Sequence, residues 1–212
     1  MDLNYWSHAY LAHATLQLWL RPNPNPSKQS PEAAKPRHFI VTSSVAPFAP
    51  LPGYIPYTSP KAALRSFADN LRFEMNLYNG YRRARPAEGP ETDVKVHIVI
   101  PGTIISPGLE NEDRMKHPVT KLLEEGDAKQ TEDEVAAAAV KGLEAGGYLI
   151  ATQWLGGVMR AGMLGGSPRN NWFVDTVLSW VVSIVWLFVG PDMEGKIFNW
   201  GKKNKVDLPT DG

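Results

Sequence analysis

Seven residues near the middle of the chain limit its fold more than any others. Val94-Lys95-Val96-His97-Ile98-Val99-Ile100 is mostly β-branched and stops at Pro101-Gly102, the pattern of a strand buried in a sheet. Two shorter runs resemble it: His38 to Thr42, ending at Ser43-Ser44, and Tyr148 to Thr152. Between the first pair, Tyr57 to Tyr78 sets Leu64, Phe67, Ala68, Leu71, Met75 and Tyr78 on one stripe, an amphipathic helix. Between the second pair, Thr131-Glu132-Asp133-Glu134 is a capping box that opens a helix running to Gly146. Strands joined by crossovers of this length are parallel and the crossovers right-handed, so the expected fold is an α/β layer. Such sheets bind ligands at the carboxyl ends of their strands, where Ser43-Ser44 and Pro101-Gly102 fall.

The remaining segments are assigned by their punctuation. Asn4 to Leu20 carries Trp6, Ala9, Tyr10, His13, Leu16 and Leu20 at helical spacing, so the chain opens in a helix. The prolines of Arg21 to Pro36 and the polar residues of Asn79 to Thr92 mark two loops. Lys and Arg total 22 against 22 Asp and Glu, and 43% of the 212 residues are hydrophobic. That balance excludes a disordered polyelectrolyte and argues against a nucleic-acid partner. The chain has no Cys, which removes disulfides, thiolate nucleophiles and cysteine-ligated metals. His8, His13, His38, His97 and His117 show no ligand spacing, so no metal site is expected, and Glu124-Glu125 reads as ordinary helix surface. Met1-Asp2-Leu3-Asn4 lacks the basic, then apolar, opening of a secretory signal, which points to a cytosolic amino terminus.

Trp172 to Val189 is nearly all apolar, with Asp175 its only charge. Its length is borderline for a bilayer span. Trp172 and Trp186 fall toward its ends as an interfacial belt would, with Asp175 close enough to one end to reach headgroups. A buried or dimer-interface helix, or one lying in the interface, remains open. Lys202-Lys203-Asn204-Lys205 reads as a solvated tail.

Chemistry concentrates near the strand ends. Tyr57 and Lys61 lie four apart at the start of the long helix and project from one face. An ammonium beside a phenol favours the phenolate, making it a usable proton donor and acceptor. Ser44, thirteen residues earlier, can hydrogen-bond the carbonyl oxygen that such a tyrosine protonates. Plainer readings are a surface tyrosine with a solvated lysine, and a serine satisfying a strand-end turn. Tyr54 is a rival phenol, but its position four residues on is Thr58.

The order strand-Ser44, thirteen residues, Tyr57-x-x-x-Lys61 resembles the short-chain dehydrogenase/reductases. The resemblance implies hydride transfer between a nicotinamide cofactor and a carbonyl carbon. In it Tyr57 is the proton donor, Lys61 holds the nicotinamide ribose, Ser44 orients the oxygen, and Asn4 takes the place of the tetrad asparagine that holds a water. Pro101-Gly102 resembles the turn that walls the nicotinamide, with Ile104 and Ser106 at the place of cofactor contacts. Over nearly the whole chain, MDLNYW, PGTIISPGLENEDRMKHPVTKLLEEGD and the Trp-rich segment are similar to fungal 3-ketodihydrosphingosine reductases. That implies NADPH as reductant, a long-chain sphingoid ketone as substrate with Leu109 to Leu123 and the apolar carboxyl-terminal region lining its pocket, and the endoplasmic reticulum membrane with the catalytic part facing the cytosol. It also implies a homodimer through helices 4–20 and 57–78. The family's first strand, glycine-rich turn and helix have no counterpart ahead of Asn4, so residues 1–155 read as the carboxyl-terminal part of a Rossmann-type doubly wound parallel sheet, an incomplete one that alone binds cofactor poorly. Residues 156–212 read as a helical membrane-associated segment and polar tail. The alternatives are another membrane-linked ketoreductase of steroids, retinoids or fatty ketones, or a non-catalytic fragment that pairs with an intact homologue.

Overall fold

The computed structural model describes residues 1–22 and 34–204; most of the expected proline-rich loop, and Lys205 of the tail, lie outside them. A π-helical turn, Asp2–Trp6, leads into α1 (Ser7–Trp19). There follow β1 (Arg37–Thr42), α2 (Ile55–Ala84), β2 (Val94–Ile100), β3 (Thr103–Ile104), α3 (Pro107–Met115), α4 (Pro118–Leu123) and β4 (Lys129–Gln130). The chain continues through α5 (Glu132–Glu144), β5 (Leu149–Ala151), α6 (Trp154–Gly162) and α7 (Trp172–Lys203). The expected division after residue 155 falls in the first turn of α6.

β2 lies between β1 and β5, parallel to both, with Arg37 opposite Val94 and Ile98 opposite Leu149. Alternation along β2 sends Val94, Val96, Ile98 and Ile100 to one face, where they pack with Leu64, Ala68, Leu71 and Met75 of α2 and Ala12 and Leu16 of α1. On the opposite face α5 approaches so closely that a Cβ on Gly142 would sit 2.4 Å from Cγ2 of Ile150. Helices thus cover both faces, as in a doubly wound sheet. Among the described residues no strand pairs with the outer edge of β1, and Ile40 there is 45% exposed.

The three expected strands, the opening helix and the capped helix are all present, and both hydrogen bonds of the Thr131–Glu134 capping box form. The expected loop from Asn79 is corrected: α2 continues to Ala84. Its turn-forming residues are captured by long-range partners. The Asn79 side-chain amide donates to the Val94 carbonyl and accepts from the Val94 amide, both at 2.9 Å. Arg82 is buried, reaching Asp93 at 2.9 Å and the Pro90 and Glu91 carbonyls. The apolar carboxyl-terminal segment also runs further than Val189, as one helix through Pro191 to Lys203.

His97 packs inside, stacked on His38 with ring nitrogens 2.9 Å apart and its Nδ1 2.7 Å from the Gly147 carbonyl. Burial pulls its pKa down, against that carbonyl contact, which raises it; His38, Arg72 and Lys95 pull it down further. The unfolded chain therefore takes up this proton first as pH falls below about 6.5. Stability present above that pH is lost on acidification until the folded ring itself protonates. The urea midpoint should fall between about pH 7 and about pH 5, and by less in His97→Gln; an equal fall in both proteins would remove His97 from the acid transition.

Candidate active site

The carboxyl ends of β1 and β2 open into a cavity of about 700 Å³. Ser44 enters it from the turn after β1, Tyr57 from the first turn of α2, and Pro101 and Gly102 from the end of β2, with Ile104 and Ser106 just beyond. Six of the eight residues singled out in the sequence thus line one space. Lys61 stands behind Tyr57, its Nζ 5.8 Å from the ring centroid, and lines a neighbouring cavity that Ser44 shares. Asn4 lines neither: it is half-buried in the first turn, on an element packed against α2.

Local structure explains these positions. The parallel strands bring Ser43 and Ser44 level with the end of β2, where the Ser43 amide donates to the Val99 carbonyl and the Val45 amide to the Pro101 carbonyl. The Ser43 hydroxyl donates to the Lys61 backbone carbonyl at 2.8 Å, fastening α2 to β1 one turn beyond Tyr57. The Ser44 hydroxyl accepts from the Ala46 amide at 3.1 Å, which fixes its rotamer. Lys61 is 9% exposed and its ammonium donates to the Thr42 carbonyl at 3.2 Å; burial lowers its pKa. Close to Gly102, the Gln153 amide nitrogen stands 1.9 Å from where a Cβ would be, so a larger residue there would displace the end of the Gln153 side chain.

The two phenols differ sharply. Among the described residues the Tyr57 hydroxyl makes no hydrogen bond, and the side chain is 38% exposed. The Tyr54 hydroxyl, lining the same cavity, donates to Glu112; burial first and that carboxylate second raise its pKa far above the ordinary value. Tyr54 is thus held in its protonated form, and Tyr57 is the phenol free to meet a ligand.

Several residues that shape the site were not read from the sequence. Lys116, its side chain 5% exposed, binds Glu124 at 2.6 Å, Glu112 at 3.0 Å and Asp113 at 3.1 Å, and lies over the Tyr54 ring. Burial alone pulls its pKa down, but hydrogen bonds to Glu124, Tyr54, Glu112 and Asp113 outweigh it and leave the pKa raised. Glu124 is therefore a ligand of this knot, not ordinary surface. The knot ties α3 to α4 along the cavity rim. Both helices carried a legible signal: each has proline in its first turn after a capping side chain, Ser106 accepting from the Leu109 amide and His117 from the Val119 amide. His8 of α1 lies near enough for the Lys61 charge, after burial, to lower its pKa. No group of three or more metal-ligating side chains forms among the described residues.

Toward α6 and α7 the cavity is mostly apolar, while Glu112, Glu124 and Asp127 line the side formed by α3, α4 and the turn after them. Leu109 and Leu123, Leu155, Val158 and Met159 of α6, and Val182, Trp186 and Val189 of α7 form its far walls. Asp175 is corrected: it is 2% exposed, paired with Arg160 at 2.6 Å, and accepts from the Asn170 and Asn171 amides. It reaches the protein interior, not headgroups.

No protein-family model matches the chain. It is 48% identical over 207 residues to a 3-ketodihydrosphingosine reductase of Aspergillus fumigatus, covering 97% of this chain and 56% of that protein. To proteins of the same description it is 40% identical in Neurospora crassa (96% of this chain, 52% of that one) and 34% in Cryptococcus neoformans (86% and 46%). The chain spans about half the length of the curated relatives it matches. A solved short-chain dehydrogenase/reductase from Burkholderia phymatum, in complex with NAD, overlays 56% of this chain and 43% of its own at 18% identity with a TM-score of 0.38, too slight a likeness to carry weight.

Proposed function

We propose that this chain, a homologue of the fungal 3-ketodihydrosphingosine reductases, carries the substrate-facing part of a ketoreductase that converts 3-ketosphinganine to sphinganine at the expense of NADPH. The observation that carries the proposal is the cavity: hydroxyl-bearing near the strand ends, where Ser44 and Tyr57 both line it, and mostly apolar toward α6 and α7. A long-chain ketone has the same two parts.

The residues present fit the nicotinamide end of the cofactor. Gly102 leaves no side chain above the strand end, Pro101, Ile104 and Ser106 line the same space, and Lys61 offers a half-desolvated ammonium for ribose hydroxyls. No glycine-rich turn leading from a strand into a helix occurs among the described residues, so the pyrophosphate end has no cradle in them. When bound, NADPH supplies the hydride to the carbonyl carbon. The Ser44 hydroxyl orients the ketone oxygen, the Tyr57 hydroxyl donates its proton to that oxygen as the carbon–oxygen π bond opens, and the Lys61 ammonium stabilises the phenolate left behind. By kinship alone, Asn4, on the amino-terminal turn packed against α2, is proposed to hold the water through which a proton is returned.

Membrane association through α7 belongs to the same proposal, since its hydropathy averages 1.9 over the most apolar window and only 6% of that window is buried. The endoplasmic reticulum, with the site facing the cytosol, is the compartment proposed by kinship. The exposed Tyr10, Leu11 and Leu18 of α1 and Phe73 and Leu77 of α2 are the surface proposed for a homodimer.

The test is a ketone panel with the product of the complete coding sequence, following NADPH oxidation. Turnover of 3-ketosphinganine is expected, with little on steroid ketones or retinal. Activity on a steroid but not on the sphingoid ketone would transfer the assignment to another membrane-linked ketoreductase. Inactivity on every ketone would favour a non-catalytic partner of an intact homologue.

A further inference from the structure

From Thr176 to Val189 α7 is apolar on nearly all sides, which a helix at a protein surface does not need. The two halves of its circumference meet different surroundings. Asp175, Val182, Trp186, Val189, Met193 and Trp200 recur in steps of 7, 4, 3, 4 and 7, one stripe of an α-helix. Every one of them touches the catalytic layer. Asp175 pairs with Arg160, and Val182 packs so tightly on α6 that a Cβ on Gly162 would lie 2.5 Å from its Cγ1. Trp186, Val189 and Met193 line the cavity, and the Trp200 ring meets His117 at 5.1 Å.

Two residues behind each of these lies a second stripe with the same steps: Phe173, Trp180, Ile184, Leu187, Pro191 and Phe198. Its large side chains are 60–78% exposed, and the charge that falls on it is Glu194, three residues after Pro191 and four before Phe198, beyond the apolar run. Cations close both ends, the Arg169 guanidinium 5.3 Å from the Trp172 ring and the Lys202 ammonium 4.5 Å from the Phe198 ring. Aromatic rings flanked by basic groups, bounding a stripe that is apolar from Phe173 to Pro191, suit the boundary between headgroups and acyl chains.

We infer that α7 lies in the plane of a membrane and does not cross it, its outer stripe resting in lipid while its inner stripe walls the cavity for the aliphatic chain of the substrate. From Asp175 to Trp200 the helix is fastened to protein over about 38 Å, more than the roughly 30 Å of a hydrocarbon core. A crossing helix would drag Arg160, Lys116 and Glu124 into hydrocarbon or tear the inner stripe from its seat. In-plane docking avoids both. The ketone then passes from the bilayer to the cavity around one helix without entering bulk water. The in-plane arrangement stands on α7 alone; the role of the inner stripe in holding a substrate chain rests on the reaction proposed above.

The absence of cysteine from this chain makes the test direct. Single cysteines replacing Phe173, Trp180, Leu187, Phe198 and Val189 in the complete protein, any native cysteine elsewhere being changed to serine, are spin-labelled in phosphatidylcholine–phosphatidylserine vesicles. Collision with oxygen and with a nickel chelate then reports the depth of each. The four outer labels should share one shallow depth, and the Val189 label should be shielded from both reagents. Depth that peaks near Trp180 and Leu187 and returns to water at both ends, with Val189 open to lipid, would establish a crossing helix. Outer labels open to nickel throughout would remove the membrane. In the same protein Val189→Trp should raise KM for a long-chain ketone about tenfold more than for a short-chain one. Equal changes for both would overturn the role of the inner stripe as chain wall. Absence of turnover in the unsubstituted protein sinks the reaction while leaving the depth readings to decide the helix.

Discussion

Tyr57→Phe should leave the protein folded and lower ketone reduction by about 10² to 10⁴, the range supplied by a positioned general acid. The folding half of that expectation follows from the site's construction. The Tyr57 side chain is 38% exposed and its hydroxyl has no hydrogen bond among the described residues, so its removal strands no buried partner. The kinetic half follows from the neighbours. Ser44 is held in place by the Ala46 amide, and α2 is fastened to β1 through the Ser43 hydroxyl and the Lys61 carbonyl, so the corner proposed to take the ketone oxygen survives the substitution. What disappears is the proton. The loss should fall on kcat with KM nearly unchanged, as for an interaction made only in the transition state. Tyr54→Phe is the control: that phenol is held protonated by burial first and by Glu112 second, and its loss should loosen the Lys116 knot at the cavity rim while retaining most of kcat. A Tyr57→Phe protein reducing ketone at the unsubstituted rate would show that the proton comes from elsewhere.

The parts of this arrangement that were legible in the sequence are those fixed by local periodicity or short spacing. A strand of β-branched residues must be buried on a pleated surface, whatever covers it, so β1, β2 and β5 could be placed to within about a residue. The Thr131–Glu134 box and the Tyr57–Lys61 spacing are equally local. What the sequence hid depends on residues far apart. Asn79-Gly80 reads as a turn until the Asn79 amide is seen pairing with both backbone groups of Val94. Lys116 and its three carboxylates lie within thirteen residues of one another, yet nothing in a charged, non-periodic segment distinguishes a buried knot from a solvated face. The walls of the cavity were half legible. Leu109 to Leu123 and the apolar carboxyl-terminal region were the expected lining, but only their folding back over the strand ends singles out one stripe of α7. Asn4 shows the converse: a short motif set its expected role, and the structure puts it on an element against α2 but outside both cavities.

Asp175→Ala should cost about 3–5 kcal/mol of stability, the usual result of leaving a buried ion unpaired. The Arg160 and Asp175 side chains are 11% and 3% exposed, 2.6 Å apart. Arg160 also donates to the Leu149 carbonyl, so the pair joins β5, α6 and the start of α7. The second carboxylate oxygen accepts from the Asn170 and Asn171 amides, neutralising donors that the first turn of α7 cannot satisfy. Asp175→Asn keeps an acceptor for those amides but surrenders the charge, and should cost less than the alanine variant. Replacing both partners, Arg160→Met with Asp175→Leu, should recover much of the loss, since an apolar pair leaves no ion behind. Urea midpoints in a mild detergent, with near-ultraviolet dichroism of the tryptophans as the signal, measure all three. Were Asp175 solvated at a membrane surface, as its place at one end of an apolar run suggests, alanine would cost under about 1 kcal/mol and the double variant would gain nothing over it. The measured difference between those outcomes decides whether the charge at the head of α7 faces lipid or fastens the helix to the sheet, and with it whether the wall of the cavity is held by the protein.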